Sequence, residues 1–237
     1  MINSVEIFIA SLPRGLHVVK TVESLLRQPE TSTITIVMNN YSAFETETLR
    51  EKLKQYSKVF FYSRDNIKGC SERFYPLQFT NYDGTYIAFA DDDLIYPPFY
   101  LKSLISGAEK YQCLVSWHGR ILKKGNATNY YRHYEAVHAC LRTVNEDVEV
   151  DIVGCGASLV KRSLINGIEK YYNSIEYGNM DDIYYSYLAK QNGLKRMVLA
   201  HNEGDLKHKE MVVGDGYIYD SLKNNCQPQT DFINKYF

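Results

Sequence analysis

The chain has 237 residues, 45% of them hydrophobic, and a formal net charge of −1. That composition builds a substantial core and excludes a disordered chain, while the charge balance excludes a global field directed at nucleic acid or acidic lipid. Five cysteines at irregular spacing, with no CxxC pair, exclude a disulfide framework and a cysteine-ligated zinc site and fit a reducing cytoplasm.

The opening run "MINSVEIFIASLPRG" has neither a basic leader nor a long apolar stretch. It reads as a first strand, with Val5, Ile7 and Ile9 alternating, followed by a turn. In "HVVKTVESLLRQ" the apolar residues recur at helical spacing until Pro29. "TITIVM" (33–38) is β-branched and alternating, a second strand. Strand, helix, strand joined by short loops predicts a right-handed crossover and parallel pairing. Leu49, Leu53 and Tyr56 mark a second helix, "VFFYS" (59–63) a third strand, and 65–82 a helix interrupted by Pro76. "TYIAFA" (85–90) is a fourth strand.

Beyond it the pattern loosens. "CLVSWHG" and "VDIVGCGASLV" read as strands, the second with a Gly-x-Gly near its middle, and "DDIYYSYLAKQNG" as a helix closed by Gly193. "KRMVLA" is a strand delivering His201, and the polar, tyrosine-rich tail has no readable fold. The 21 tyrosines serve cores and strands in general and sugar sites in particular. No window approaches the roughly 20 apolar residues of a membrane span. The expectation is a cytoplasmic protein, with peripheral contact at the inner face of a membrane left open.

The motif that demands an explanation is "YIAFADDDLIYPP", where three carboxylates end the fourth strand. In open α/β sheets ligands sit beyond the carboxyl ends of the strands. Mutually repelling acids there suit a hard divalent cation, Mn²⁺ or Mg²⁺, shared with substrate phosphates. The plain alternative is capping of a helix starting near Phe99, worth roughly 0.3–1 kcal/mol per acid. "NMDD" opening the late helix has the same two readings, with Asn179 as a candidate N-cap.

Taken in order, "ASLPRG", "SLLRQPE", "IVMNNYS", "DDD" and "MDDIYYSYLAKQNG" resemble the family 2 glycosyltransferases of GT-A fold. "FYSRDNIKGCSER" and the aspartate motif are similar to the branch typified by a bacterial spore-coat glycosyltransferase. The resemblance covers roughly residues 5–200 and implies a Rossmann-like α/β fold with a mostly parallel sheet flanked by helices. It implies one domain over 1–237, with a nucleotide-sugar half (1–98), an acceptor and catalytic half (99–205) and an extension (206–237). The implied function is transfer of a sugar from a nucleotide diphospho-sugar, a UDP-sugar by family habit, to a saccharide or glycolipid hydroxyl in bacterial surface polysaccharide synthesis.

By the same resemblance the first loop, with Pro13 and Arg14, passes the nucleotide, and Lys68 lies near the base. Asn40 replaces an aspartate that accepts from uracil, a departure that leaves the base open. Asp92 meets ribose, Asp93 ligates the metal with Asp91 assisting, and "GCGA" (154–157) lets the substrates approach the backbone. Asp182 is the implied general base, and His201, with His208 as the alternative, a further metal ligand. Inversion is the family 2 expectation, although an acidic helix start also resembles retaining exostosin-type enzymes. A sugar-phosphate nucleotidyltransferase shares the topology, but the single glycine after the first strand argues against a triphosphate cradle. A non-catalytic carbohydrate-binding protein is favoured only by Asn39–Asn40.

Overall fold

The computed structural model describes residues 4–14, 17–79, 84–208 and 224–237. Its first half alternates as expected: β1 (Val5–Ser11), α1 (His17–Leu26), β2 (Thr31–Asn39), α2 (Ala43–Leu53), β3 (Val59–Arg64) and β4 (Tyr86–Asp91). β3, β2, β1 and β4 lie side by side and parallel, so their carboxyl ends share one edge. Alternation divides the side chains between two cores. Val5, Ile7 and Ile9 of β1 and Ala88 of β4 join Val22 and Leu25 of α1 on one face. Phe8, Ile87 and Phe89 meet Phe74 and Tyr185 on the other. Burial on both faces explains why these strands read as nearly continuous apolar runs. Each fully buried Ile or Phe contributes about 1.5–3 kcal/mol.

After β4 the aspartates turn into the two-residue β5 (Leu94–Ile95), and α3 (Tyr100–Tyr111) follows. The first turn of α3 holds no acid, and Phe99 at its N-cap makes no side-chain cap, so the triplet is not capping chemistry. The expected strand across 113–119 is instead β6 (Leu114–Ser116) and β7 (Gly119–Leu122), with β8 (Tyr134–His138) and β9 (Val148–Glu149) beyond. "VDIVGCGASLV" also divides, into β10 (Ile152–Val153) and β11 (Ala157–Lys161), because the glycine pair turns the chain between them. α4 (Asp181–Gln191) ends, as its sequence predicts, before Gly193 at φ 69°. β12 (Arg196–Val198) and β13 (Lys207–His208) complete the strands.

β11 pairs antiparallel with β4 and continues the sheet, giving the order β3-β2-β1-β4-β11-β6-β12-β9 among the described residues. A second sheet joins β10, β7 and β8, and β13 pairs with β5. The stretch expected as a Pro-interrupted helix is a 3₁₀ segment, Gly69–Gln78, which tolerates Pro76; residues 80–82 of that stretch lie outside the described residues. Part of the tail does fold: α5 (Gln227–Tyr236) starts with Pro228 in its first turn, where the missing N–H costs nothing. No helix among the described residues is long and apolar enough to cross a membrane.

Candidate active site

The carboxyl edge of β1, β2 and β4 meets the start of α4 around a cleft of about 420 Å³. Its walls carry Asp91, Asp92, Asp93, Asp181 and Asp182, interleaved with Arg14, Arg73 and Arg120. Sequence-distant acids thus converge because β4 and α4 both deliver their polar ends to the same edge.

Asp92 is the buried member of the triplet. It accepts from Ser11 Oγ at 2.8 Å and the Leu12 N–H at 3.2 Å, and it pairs with Arg14. Burial raises its carboxyl pKa against the pull of Arg14. Both oxygens are engaged by the chain's own donors, so a ribose hydroxyl there must share them or displace Arg14. Pro13 shapes the same loop without lining the cleft.

Asp91 points outward, its side chain 43% exposed, and accepts from Arg73 Nη2 at 2.9 Å. Its backbone N–H meets the Tyr96 hydroxyl, which in turn donates to the Gly156 carbonyl at 2.6 Å. Gly156 lies so close behind that an added Cβ would overlap the Asp91 carboxylate. Gly156→Ala is therefore expected to drive Asp91 off Arg73 and to cost about 1–3 kcal/mol of stability in urea unfolding, the usual range for overpacking. Wild-type stability in that variant would show that Asp91 moves without loss.

Asp93 is mostly buried, with its Oδ2 3.6 Å from Arg14 Nη2 and 3.5 Å from His208 Nε2. Burial, then the charges of Asp91 and Asp92, push its pKa up to about 6. A carboxyl that burial and neighbouring acids disfavour in its charged form gains from a compensating cation, and carboxylate oxygens beside an imidazole are donors a divalent cation accepts. Asp93 and His208 are donors of the kind the expected metal takes, and among the described residues no group of three or more His, Cys, Asp or Glu side chains converges as a metal site.

The two acids of α4 differ sharply. Asp181 is buried between Arg73 Nε at 3.2 Å and the Cys70 thiol, which donates to it at 2.7 Å. Burial lifts its pKa to about 6 despite Arg73. Asp182 keeps 31% of its side chain exposed, accepts from the Cys155 N–H at 2.7 Å and faces Arg120 Nη1 at 3.4 Å. Asn179 does not cap the helix. At φ 56° its Oδ1 accepts from the Cys70 N–H, and Met180 occupies the N-cap position.

A model of glycosyl transferase family 2 matches residues 7–169. The chain belongs to that family. No curated protein matches the sequence. Its α/β architecture is the GT-A arrangement, and as a family 2 glycosyltransferase it works on a nucleotide-sugar donor. The matched span takes in the aspartate triplet and Arg73; Asp181, Asp182, His208 and α5 lie beyond it.

Three residues expected in this glycosyltransferase's site stand elsewhere. Asn40 is exposed in a left-handed turn at φ 57° and does not line the cleft. Asn39, one residue earlier, does: it is buried, its Nδ2 donates to the Gly69 carbonyl at 3.2 Å, and its Oδ1 has no partner among the described residues. Lys68 donates to the Tyr172 carbonyl at 2.8 Å and lies over that ring, so it ties loops together instead of facing a base. His201 stacks on Trp117 at 5.0 Å, with its ring nitrogens against the carbonyls of Leu199 and Ala139. Packed this way it is structural, and His208 is the histidine beside Asp93. Arg73 and Arg120 had no role in the sequence reading. "GCSER" contains Arg73, but nothing local distinguishes it from a solvated loop arginine.

Proposed function

We propose that this family 2 glycosyltransferase moves a sugar from a UDP-sugar, with a divalent cation, to a hydroxyl of a saccharide or glycolipid, with inversion. The observation that carries the reading is the convergence of the strand-end aspartates with Asp182 in one cleft. Asp93 would hold the cation, with His208 Nε2 3.5 Å from its carboxylate and substrate phosphates supplying further ligands. A bound cation would neutralise the charge that develops on the departing diphosphate. Arg14, already against Asp92 and Asp93, is positioned to exchange a carboxylate for a phosphate oxygen. Asp182 receives the acceptor proton. "FYSRDNIKGCSER" and "YIAFADDDLIYPP" support membership of the spore-coat-like branch, and surface polysaccharide is the matching setting.

Asn39 supports the uridine assignment. The Gly69 carbonyl selects its amide nitrogen, so the atom left over is an acceptor, suited to the imide N–H of uracil and wrong for the ring N3 of cytosine. An aspartate at position 39 would face that carbonyl with no donor, so asparagine fits this position.

Calorimetric titration tests both parts. UDP should bind in Mn²⁺ and weaken sharply in EDTA, and CDP should bind about tenfold more weakly than UDP, the worth of one buried hydrogen bond left unmade. Equal UDP affinity in EDTA and Mn²⁺ would remove the cation; CDP matching UDP would remove the base assignment.

A further inference from the structure

We infer that a second groove, between α4 and α5, binds the saccharide portion of the acceptor as a subsite remote from the reacting hydroxyl; the inference rests on the glycosyltransferase reading. The groove encloses about 640 Å³, within the range of small-ligand sites. Its floor is aromatic. Tyr187 lies 5.3 Å from Phe232 and 4.5 Å from Tyr236, and Tyr177, half exposed, stands at its margin. Glu176, Gln191 and Asp231, all exposed, supply carboxylate and amide groups around those rings. Apolar ring faces bordered by fixed acceptors and donors match a pyranose, which offers C–H faces and a belt of hydroxyls. Lys235 shares the lining with the two carboxylates, and that mixed charge suits neutral sugars.

The groove and the cleft lie on opposite sides of α4. At 3.6 residues per turn, Tyr184, Tyr187 and Gln191 share one face of that helix and Asp182 lies roughly opposite. The chain leading into α4 links the two sites: Tyr177 lines the groove and Asn179, two residues on, lines the cleft. Every groove residue lies after 169, beyond the family-matched span.

The test titrates the full chain with neutral oligosaccharides, chitotriose, maltotetraose and laminaritetraose, by saturation-transfer NMR without nucleotide. At least one should bind, and Tyr177→Ala and Gln191→Ala, both at exposed positions, should each weaken it about tenfold. UDP affinity in Mn²⁺ should stay unchanged in both variants. No binding by the panel, or binding indifferent to both substitutions, overturns the inference. So does sedimentation showing a wild-type dimer that Tyr177→Ala disperses, because the groove is then a contact between copies. A wild-type chain that binds UDP but none of the saccharides separates this failure from failure of the glycosyltransferase reading, which is failure to bind UDP at all.

Discussion

Asp182→Asn is expected to lower sugar transfer about 10²–10⁴-fold, the worth of a positioned general base, while UDP binding persists. The Cys155 N–H holds one carboxylate oxygen at 2.7 Å, which fixes the side chain and leaves the other oxygen for a proton. Arg120 stands 3.4 Å from that second oxygen and is itself anchored by the Tyr130 hydroxyl at 3.1 Å, so the acid sits against a fixed positive charge. Asparagine can still accept from Cys155, yet it cannot take a proton, and its amide hydrogens would face Arg120. Single-turnover transfer, read beside calorimetric UDP affinity, separates chemistry from binding. Transfer at near wild-type rate would place the base elsewhere and end the case for inversion through Asp182.

Arg73→Met is expected to destabilise the fold by about 3–5 kcal/mol near neutral pH, measured by urea unfolding, because it strands buried carboxylate charge. The guanidinium is 3% exposed, bridges Asp91 and Asp181, and donates to the Cys70 carbonyl at 3.0 Å. The pH dependence follows from Asp181. Its pKa is raised by burial from 3.8 to about 6, so its contribution is fully present below 3.8 and lost as pH rises through about 6. Without Arg73 that pKa rises further. The deficit of the variant should therefore be full near neutrality and shrink in acidic buffer. Asp181→Asn added to Arg73→Met should restore part of the loss, since the two side chains are in contact. A deficit under about 1 kcal/mol at neutral pH would mean that water reaches the site and solvates the carboxylates, well short of the several kcal/mol a buried orphan charge costs.

The parallel half of the fold was legible because its strands and helices obey local periods: β1, β2, β3 and β4 fall within a residue or two of their apolar runs. The aspartate triplet was legible for a different reason, since no local structure needs three acids in a row. What misled the reading was direction and distance. Asn39 and Asn40 differ by one residue at a strand end, and consecutive side chains there point to opposite sides; the left-handed turn at Asn40 then carries it to solvent. His208 reaches Asp93 because the two-residue β13 pairs with β5, a contact across more than a hundred residues with no sequence period to announce it. His201 sits in an apolar strand context, where the pull of Trp117 outweighs any chemistry its type suggests. Arg73 lies in a 3₁₀ segment, and its burial depends on carboxylates brought from β4 and α4.

The pairing of β4 with β11 has a mechanical consequence. Register runs from Ala90↔Ala157 to Tyr86↔Lys161, and Tyr96 adds a clamp at the cleft end by joining Asp91 to Gly156. The parallel and mixed portions of the sheet are therefore one beam, welded where the aspartates emerge. Swinging one portion against the other would tear backbone hydrogen bonds in the middle of the core. Any closure over a bound donor is expected to fall to the loops that rim the cleft, the Ser11–Arg14 turn among them, while the beam beneath keeps Asp91 fixed against Gly156.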